Sequence, residues 1–149
     1  MSAWVAAGAS FLLAVLWFDL MFDVQAARQP PGPLPEPRLS SIASYYARVT
    51  TAARPMNRVI AIVMLATLIA IGVEIARGSQ PSWVPWASLA LASPAIVLAA
   101  IRTVPSAIRL GARADDPDRQ SELARAILRD HLFCLGAMAS VVAIQLIAG

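Results

Sequence analysis

Two aspartates lie four residues apart near the end of an apolar run, in the segment L-W-F-D-L-M-F-D-V-Q at residues 16–25. On an α-helix this spacing places Asp19 and Asp23 on one face, about one turn apart. Carboxylates at the C-terminal end of a helix face the negative end of the helix dipole, and these two also repel each other. We therefore expect cationic groups or bound protons to neutralise them.

The second candidate for chemistry is His131, which follows Asp130 where another apolar run begins. Because the chain has one histidine and one cysteine, it cannot form a multi-histidine metal site, a bis-histidine haem site or a disulfide within one chain. A mixed metal site of Asp19, Asp23 and His131 is chemically allowable, and a neutral imidazole could instead act as a base. The sequence specifies no cofactor. We expect the single cysteine, Cys134, to be a buried structural thiol.

The composition identifies the elements that must position these residues. The chain has 149 residues, of which 58% are hydrophobic and 14% charged, and its mean hydropathy of +0.65 is too high for an ordinary soluble domain. Four apolar stretches approach the roughly 20 residues that a helix needs to cross about 30 Å of hydrocarbon. They lack the alternation of barrel strands, so helices are the viable way to pair their backbone groups in lipid. The predicted fold class is all-α integral membrane, a four-transmembrane-helix bundle with a short interfacial helix and a cytoplasmic extension of helix four.

We predict that residues 1–149 form one transmembrane domain. Proline and helix-capping residues divide this domain into helices and a linker. Five prolines between residues 28 and 38 fix φ and remove amide donors, which favours an extended linker. Asp116 before Pro117 is typical of a helix cap followed by the first helical residue, so helix four begins in water about three turns before it enters the membrane. The predicted order is spanning helix one at about 3–25, the proline-rich linker at 28–38, the interfacial helix at 40–54, and spanning helices two, three and four at 55–77, 83–104 and about 117–148.

The segment at residues 40–54 is short and amphipathic. Its apolar side consists of Ile42, Tyr45, Tyr46 and Val49, while Arg48 lies on the polar side. We expect this helix to lie along the inner membrane surface, as amphipathic helices with a basic polar side do.

The arginines decide the predicted orientation. All twelve basic residues are arginine, and eleven fall around the first and third connections, while only Arg77 lies in the second. By the positive-inside rule, connections one and three are predicted to be cytoplasmic, with the N- and C-termini and the turn at residues 78–82 outside. No basic segment precedes the first apolar run, so no cleavable signal peptide is evident. Arginine without lysine, together with abundant alanine, is typical of high-GC bacterial genomes, so the predicted location is the bacterial inner (plasma) membrane, with several passes.

This topology brings ionisable residues of several helices to one depth, at the cytoplasmic interface. Because charged groups in membrane helices usually face the protein interior and pair there, we predict one polar cluster rather than scattered charges. Its candidate members are Asp19, Asp23, Arg54, Arg58, Arg102, Arg109, Asp130 and His131. The cluster has two interpretations: aspartate–arginine pairs that lock the four helices together, or a functional pocket.

Two classes of function fit these predictions. In the first, the chain is a non-catalytic subunit or assembly partner of a larger membrane complex. Gly136 and Ser140 would then form a small-xxx-small contact, either within the bundle or with another subunit. The expected partners are the lipid bilayer and either other proteins or further copies in a homo-oligomer.

In the second class, the chain is a small membrane enzyme or a ligand- or metal-binding protein with its pocket at the cytoplasmic interface. Asp19 or Asp23 would act as base or metal ligand, and His131 would shuttle protons. Arg102 and Arg109 would hold an anionic head group.

Other functions fit less well. The sequence has no P-loop, dinucleotide fingerprint or serine-centred elbow that would specify a reaction. A transport path needs polar groups at several depths of the membrane, but here the polar residues lie mainly at one end. Only an oligomer, with a pore between chains, could therefore form such a path. Nucleic-acid binding is not expected, because arginines in this pattern set topology and attract anionic lipids.

Overall fold

The computed structural model describes residues 3–27, 32–52 and 54–148, except for the side chain of Arg54. Within these ranges every regular element is a helix. The α-helices are α1 Ala3–Asp23, α2 Glu36–Thr51, α3 Arg54–Ala76, α4 Trp83–Leu98, α5 Val104–Ala112 and α6 Pro117–Ala148. A 3₁₀ turn, Val24–Ala26, extends α1, and a π-helical turn, Ala99–Thr103, joins α4 to α5.

Four helical segments are long and apolar enough to cross a membrane: Ala3–Ala26, Pro55–Ala76, Trp83–Ala112 and Pro117–Ala148. Their number and their helical nature confirm the predicted all-α fold with four such helices. In each of these segments, at most 33% of an 18-residue apolar stretch is buried inside the protein. Most of this apolar surface therefore faces outwards, as it does on helices that have apolar surroundings.

The four segments pack around a core of mainly small and medium-sized apolar side chains. This first core consists of Val5, Ala9, Leu12, Ile71, Ala92, Ala95, Cys134, Ala137, Met138 and Val141. Where α1 crosses α3, a methyl group added at Gly8 would collide with the Thr67 hydroxyl. The absence of a side chain at Gly8 therefore allows the two helices to approach closely.

A second core lies at the end of the bundle where α2, α5 and the first half of α6 meet, which we call the arginine-rich end. On α2, the side chains of Leu39, Ile42 and Tyr46 are buried against Leu110 of α5 and Ile127 of α6. A methyl group on Gly111 would collide with the backbone of residues 46 and 47, so α5 packs closely against the backbone of α2. The helix predicted over 40–54 thus packs one side on protein.

Two boundaries differ from the sequence prediction. Residues 28–31 of the predicted linker at 28–38 lie outside the described residues, and its last three residues already form the first turn of α2. Proline is tolerated in the first turn of a helix because its missing N–H has no partner there, so Pro37 does not delay the helix. The third of the long apolar helices, predicted to end at 104, continues to Ala112 because the π-helical turn accommodates Pro105 without ending the helix.

Candidate functional site

The most buried charged group of the site is Asp23, at the C-terminal end of α1. Its side chain is 0% exposed. The Oδ2 atom lies 2.6 Å from Nδ1 of His131 on α6, and Oδ1 accepts a hydrogen bond of 2.7 Å from the Tyr46 hydroxyl of α2. Both carboxylate oxygens therefore have partners, and one side chain links three helices.

Asp19 lies one turn earlier on the same face of α1, as its spacing from Asp23 predicted. Its Oδ1 accepts a 2.5 Å hydrogen bond from the Tyr45 hydroxyl, and its Oδ2 lies 3.9 Å from Nε2 of His131. The imidazole thus lies between two carboxylates, one beside each ring nitrogen. We call Asp19, Asp23, Tyr45, Tyr46 and His131 the Asp–His–Tyr cluster.

Aromatic packing holds the two tyrosines of the cluster in place. The ring of Phe22 stacks on Tyr45 with centroids 4.1 Å apart, and Tyr45 meets Tyr46 edge to face at 5.2 Å. Burial, followed by the nearby carboxylates of Asp19 and Asp23, raises the pKa of both tyrosines above the ordinary value of 10.0. Both hydroxyls therefore stay protonated and act as hydrogen-bond donors.

The proton positions in the cluster follow from its geometry. An ionised carboxylate can only accept hydrogen bonds, so when Asp23 is ionised the proton of the short contact lies on Nδ1 of His131. The cluster contains two carboxyl groups and one imidazole, so its only cation cannot balance both acids when they are ionised. The two tyrosine hydroxyls supply the remaining stabilisation as neutral dipoles.

A second polar group lies directly beside the cluster, around Asp130. This buried carboxylate has its Oδ2 3.3 Å from Nε of Arg102 and 3.2 Å from the Thr103 hydroxyl, which donates to it. Both partners come from the π-helical turn, which places two consecutive side chains against α6. Because the side chain of Arg102 is 50% exposed, solvent screens this ion pair.

The structure gathers only part of the predicted eight-residue cluster. Asp19, Asp23 and His131 meet, and Asp130 and Arg102 pair next to them. Arg109 lies apart, with its guanidinium 2.7 Å from Asp115. Arg58 is exposed and has no ion pair within the described ranges, and the side chain of Arg54 lies outside them.

Among the described side chains no arginine pairs with either aspartate, although the sequence predicts arginines at the same depth. The partners of Asp19 and Asp23 are instead two tyrosines and the histidine. The amphipathic pattern of residues 40–54 places Tyr45 and Tyr46 on an apolar helix side and does not predict their role as hydrogen-bond donors. The available signal was that a buried tyrosine needs a hydrogen-bond partner, and that two acids lay at the same predicted depth.

Two further features bear on the candidate chemistry. The described residues include no group of three or more histidine, cysteine, aspartate or glutamate side chains arranged to hold a metal ion, so the mixed site of Asp19, Asp23 and His131 does not fit that geometry. The Cys134 thiol is buried and donates to the Ala95 carbonyl over 3.5 Å, as a structural thiol would.

The opposite end of the bundle has its own buried polar contact. The amide of Gln145, fully buried on α6, donates to Glu74 of α3 over 3.3 Å and to Ser88 of α4 over 3.2 Å. Each end of the bundle is therefore tied together by hydrogen bonds between helices, but among the described residues the contacts between aspartate and histidine lie at the arginine-rich end.

Comparison of the chain with protein-family models, curated proteins and solved structures gave no match. No activity can therefore be inferred for this chain from a relative. The chemistry of the described side chains, above all that of the Asp–His–Tyr cluster, is therefore the basis for a function.

Proposed function

We propose that this chain is a small polytopic bacterial inner-membrane protein that acts as a non-catalytic subunit or assembly partner of a larger membrane complex. The observation that carries the proposal is the closure of the Asp–His–Tyr cluster. Both oxygens of Asp23, one oxygen of Asp19 and both tyrosine hydroxyls are engaged within the chain. A general base or proton shuttle needs an atom that a substrate can reach, and these five atoms already have partners, while the remaining Oδ2 of Asp19 faces Nε2 of His131 over 3.9 Å.

In this proposal the Asp–His–Tyr cluster is an internal clasp that holds α2 against α1 and α6. We propose that this buried, paired and hydrogen-bonded charge contributes more to a specific arrangement of the helices than to net stability. The clasp gives the arginine-rich end one defined shape, which is what a docking surface for a partner requires. The distribution of the arginines supports a cytoplasmic location for this end, with the two chain termini on the other side.

The proposed contact with a partner is a groove between α4 and α6, with a volume of about 440 Å³. It is lined by Ala90, Leu91, Leu132, Phe133, Gly136, Ala137 and Ser140. A methyl group on Gly136 would meet no atom within 4 Å, so this face is open rather than packed inside the bundle. An open small-xxx-small face fits the close approach of a transmembrane helix from a partner subunit.

Substitution of two glycines tests the proposal. Gly136→Leu fills the groove, while Gly72→Leu on the exposed side of α3 makes the same chemical change at another position with open space. We expect the wild-type chain and Gly72→Leu to purify in mild detergent with a partner at fixed stoichiometry, and Gly136→Leu to lose it. Purification of the wild-type chain alone, or equal behaviour of the two variants, would contradict the proposal.

A further inference from the structure

A second cavity, of about 810 Å³, lies at the arginine-rich end, beside the end of α1 and between α5 and α6. None of the residues of the Asp–His–Tyr cluster lines it. Four arginines and a single carboxylate face this cavity: Arg102, Arg119, Arg125, Arg129 and Glu122. The lining therefore carries a surplus of positive charge, which distinguishes this cavity from the apolar groove.

Three of the four guanidinium groups are held in place by the protein. Arg102 bonds to buried Asp130 from the π-helical turn, and Arg119 bonds to Glu122 over 2.7 Å. Arg125 donates over 2.7 Å to the carbonyl of Gly32, in the segment that precedes α2. Guanidinium groups that are fixed in this way lose little side-chain entropy when they bind an anion.

Arg129 is the member best placed to meet a ligand. Its side chain is exposed, and within the described ranges it has no ion pair or hydrogen bond that would neutralise it. A guanidinium group binds phosphate through two parallel hydrogen bonds, and a hydroxyl such as that of Ser106 in the same lining can add a third.

The remaining lining is apolar and includes Ala26, Ala126 and Leu128. A cavity with arginines on one side and aliphatic groups on the other suits an anionic head group joined to an apolar body. Basic pockets between spanning helices bind lipid head groups in this manner.

We propose that this cavity binds a phosphate-bearing anion, recognised by Arg129 together with the three fixed arginines. The phosphate could belong to an anionic phospholipid or to a soluble phosphate ester, since both present the same group to the arginines. This binding is independent of the partner contact at Gly136, so either proposal can fail without the other.

The test uses the full chain, purified and delipidated in mild detergent, with bound ligands counted by native mass spectrometry. One arm adds phosphatidylglycerol or phosphatidylcholine of equal chain length, and the other adds inorganic phosphate alone. We expect phosphatidylglycerol to bind more tightly than phosphatidylcholine. Binding of phosphatidylglycerol without binding of phosphate identifies a lipid as the source, whereas saturable binding of phosphate identifies a soluble anion.

Two arginine variants make the test specific. Arg129→Gln should weaken anion binding about fivefold, the factor that corresponds to roughly 1 kcal/mol for one basic group. Arg58→Gln removes the same charge from an exposed position that does not line the cavity, so it should change binding less than twofold. Equal effects of the two variants, or equal affinity for the anionic and the zwitterionic lipid, would overturn the proposal.

A third variant tests the cavity by its volume. Ala126→Leu fills part of the space without changing any charge, and we expect it to reduce anion binding at an unchanged melting temperature. If Ala126→Leu lowers the melting temperature, the comparison of Arg129→Gln with Arg58→Gln decides alone, since both positions are exposed. Unchanged anion binding by folded Ala126→Leu would count against this cavity as the location.

Discussion

The clasp makes one strong prediction: Tyr46→Phe should make local opening of α2 easier. The substitution removes only the hydroxyl that donates to Asp23 over 2.7 Å and leaves the ring in the second core. A hydrogen bond to a charged group contributes about 1.5–3 kcal/mol, and Asp23 is fully buried, so water cannot replace the lost donor. We therefore expect local opening of α2 to become easier by about 2 kcal/mol.

Tyr45→Phe is the matched control for this substitution. It removes the neighbouring hydroxyl on the same helix and retains the stacking of the ring on Phe22. Its acceptor, Asp19, is 18% exposed, so water can partly satisfy the carboxylate after the change. We expect a cost of about 1 kcal/mol, below the range for a hydrogen bond to a charged group because water compensates part of the loss.

Hydrogen exchange in detergent micelles, followed by mass spectrometry, measures these costs directly. Exchange from locally opened states reports the free energy of opening, so 2 kcal/mol corresponds to roughly thirtyfold faster exchange and 1 kcal/mol to roughly fivefold. We expect Tyr46→Phe to accelerate exchange over Glu36–Thr51 by the larger factor and to leave the central part of α3 unchanged. Unchanged exchange of α2 in Tyr46→Phe, or uniform acceleration of all helices, would refute the clasp.

Two further predictions follow from the titration of the tyrosines and from the topology. Tyr45 and Tyr46 are the only tyrosines, and their raised pKa means that the unfolded chain loses these protons near pH 10 while the folded chain keeps them. Their contribution to stability is thus complete below pH 10 and declines above it, so tyrosinate absorbance at 295 nm should stay low past pH 10 and rise only with unfolding. Exposed Ser44 and Ser82 lie at opposite ends of the bundle, so an impermeant maleimide added outside spheroplasts should label Ser82→Cys at once and Ser44→Cys only after lysis. Labelling of Ser44→Cys in intact spheroplasts would reverse the proposed orientation.

The sequence was sufficient to predict which segments form helices long and apolar enough to cross a membrane. Each apolar run has the length of a membrane-crossing helix, and composition alone decides this property. The spacing of Asp19 and Asp23 also put both on one helix face, and the structure shows them there with His131 between them. These features depend on positions along one helix axis, which the sequence gives directly.

The partners of the two aspartates depend on how the helices are rotated about their axes, which the hydropathy pattern does not determine. Tyr45 and Tyr46 are neighbours, about 100° apart on α2, so the helical period predicts that they point in different directions. They reach two acids one turn apart because α2 turns this side toward α1 and the long phenol groups span the remaining distance. The packing of α5 on α2 at Gly111 and the second core are contacts between helices that fit this rotation, and they do not appear in the sequence pattern.

The choice of tyrosines over arginines has a consequence for the rest of the arginine-rich end. A guanidinium group paired with fully buried Asp23 would itself have to leave water, which costs several kcal/mol before any attraction is gained. The Tyr46 hydroxyl stabilises the same carboxylate beside the His131 imidazole without burying a further charge. Guanidinium groups therefore stay near the surface, where Arg58 can contribute to topology and Arg129 can meet an anion. The clasp and the basic cavity are therefore linked: because tyrosine hydroxyls bind the two aspartates, the nearby arginines remain accessible to an anion.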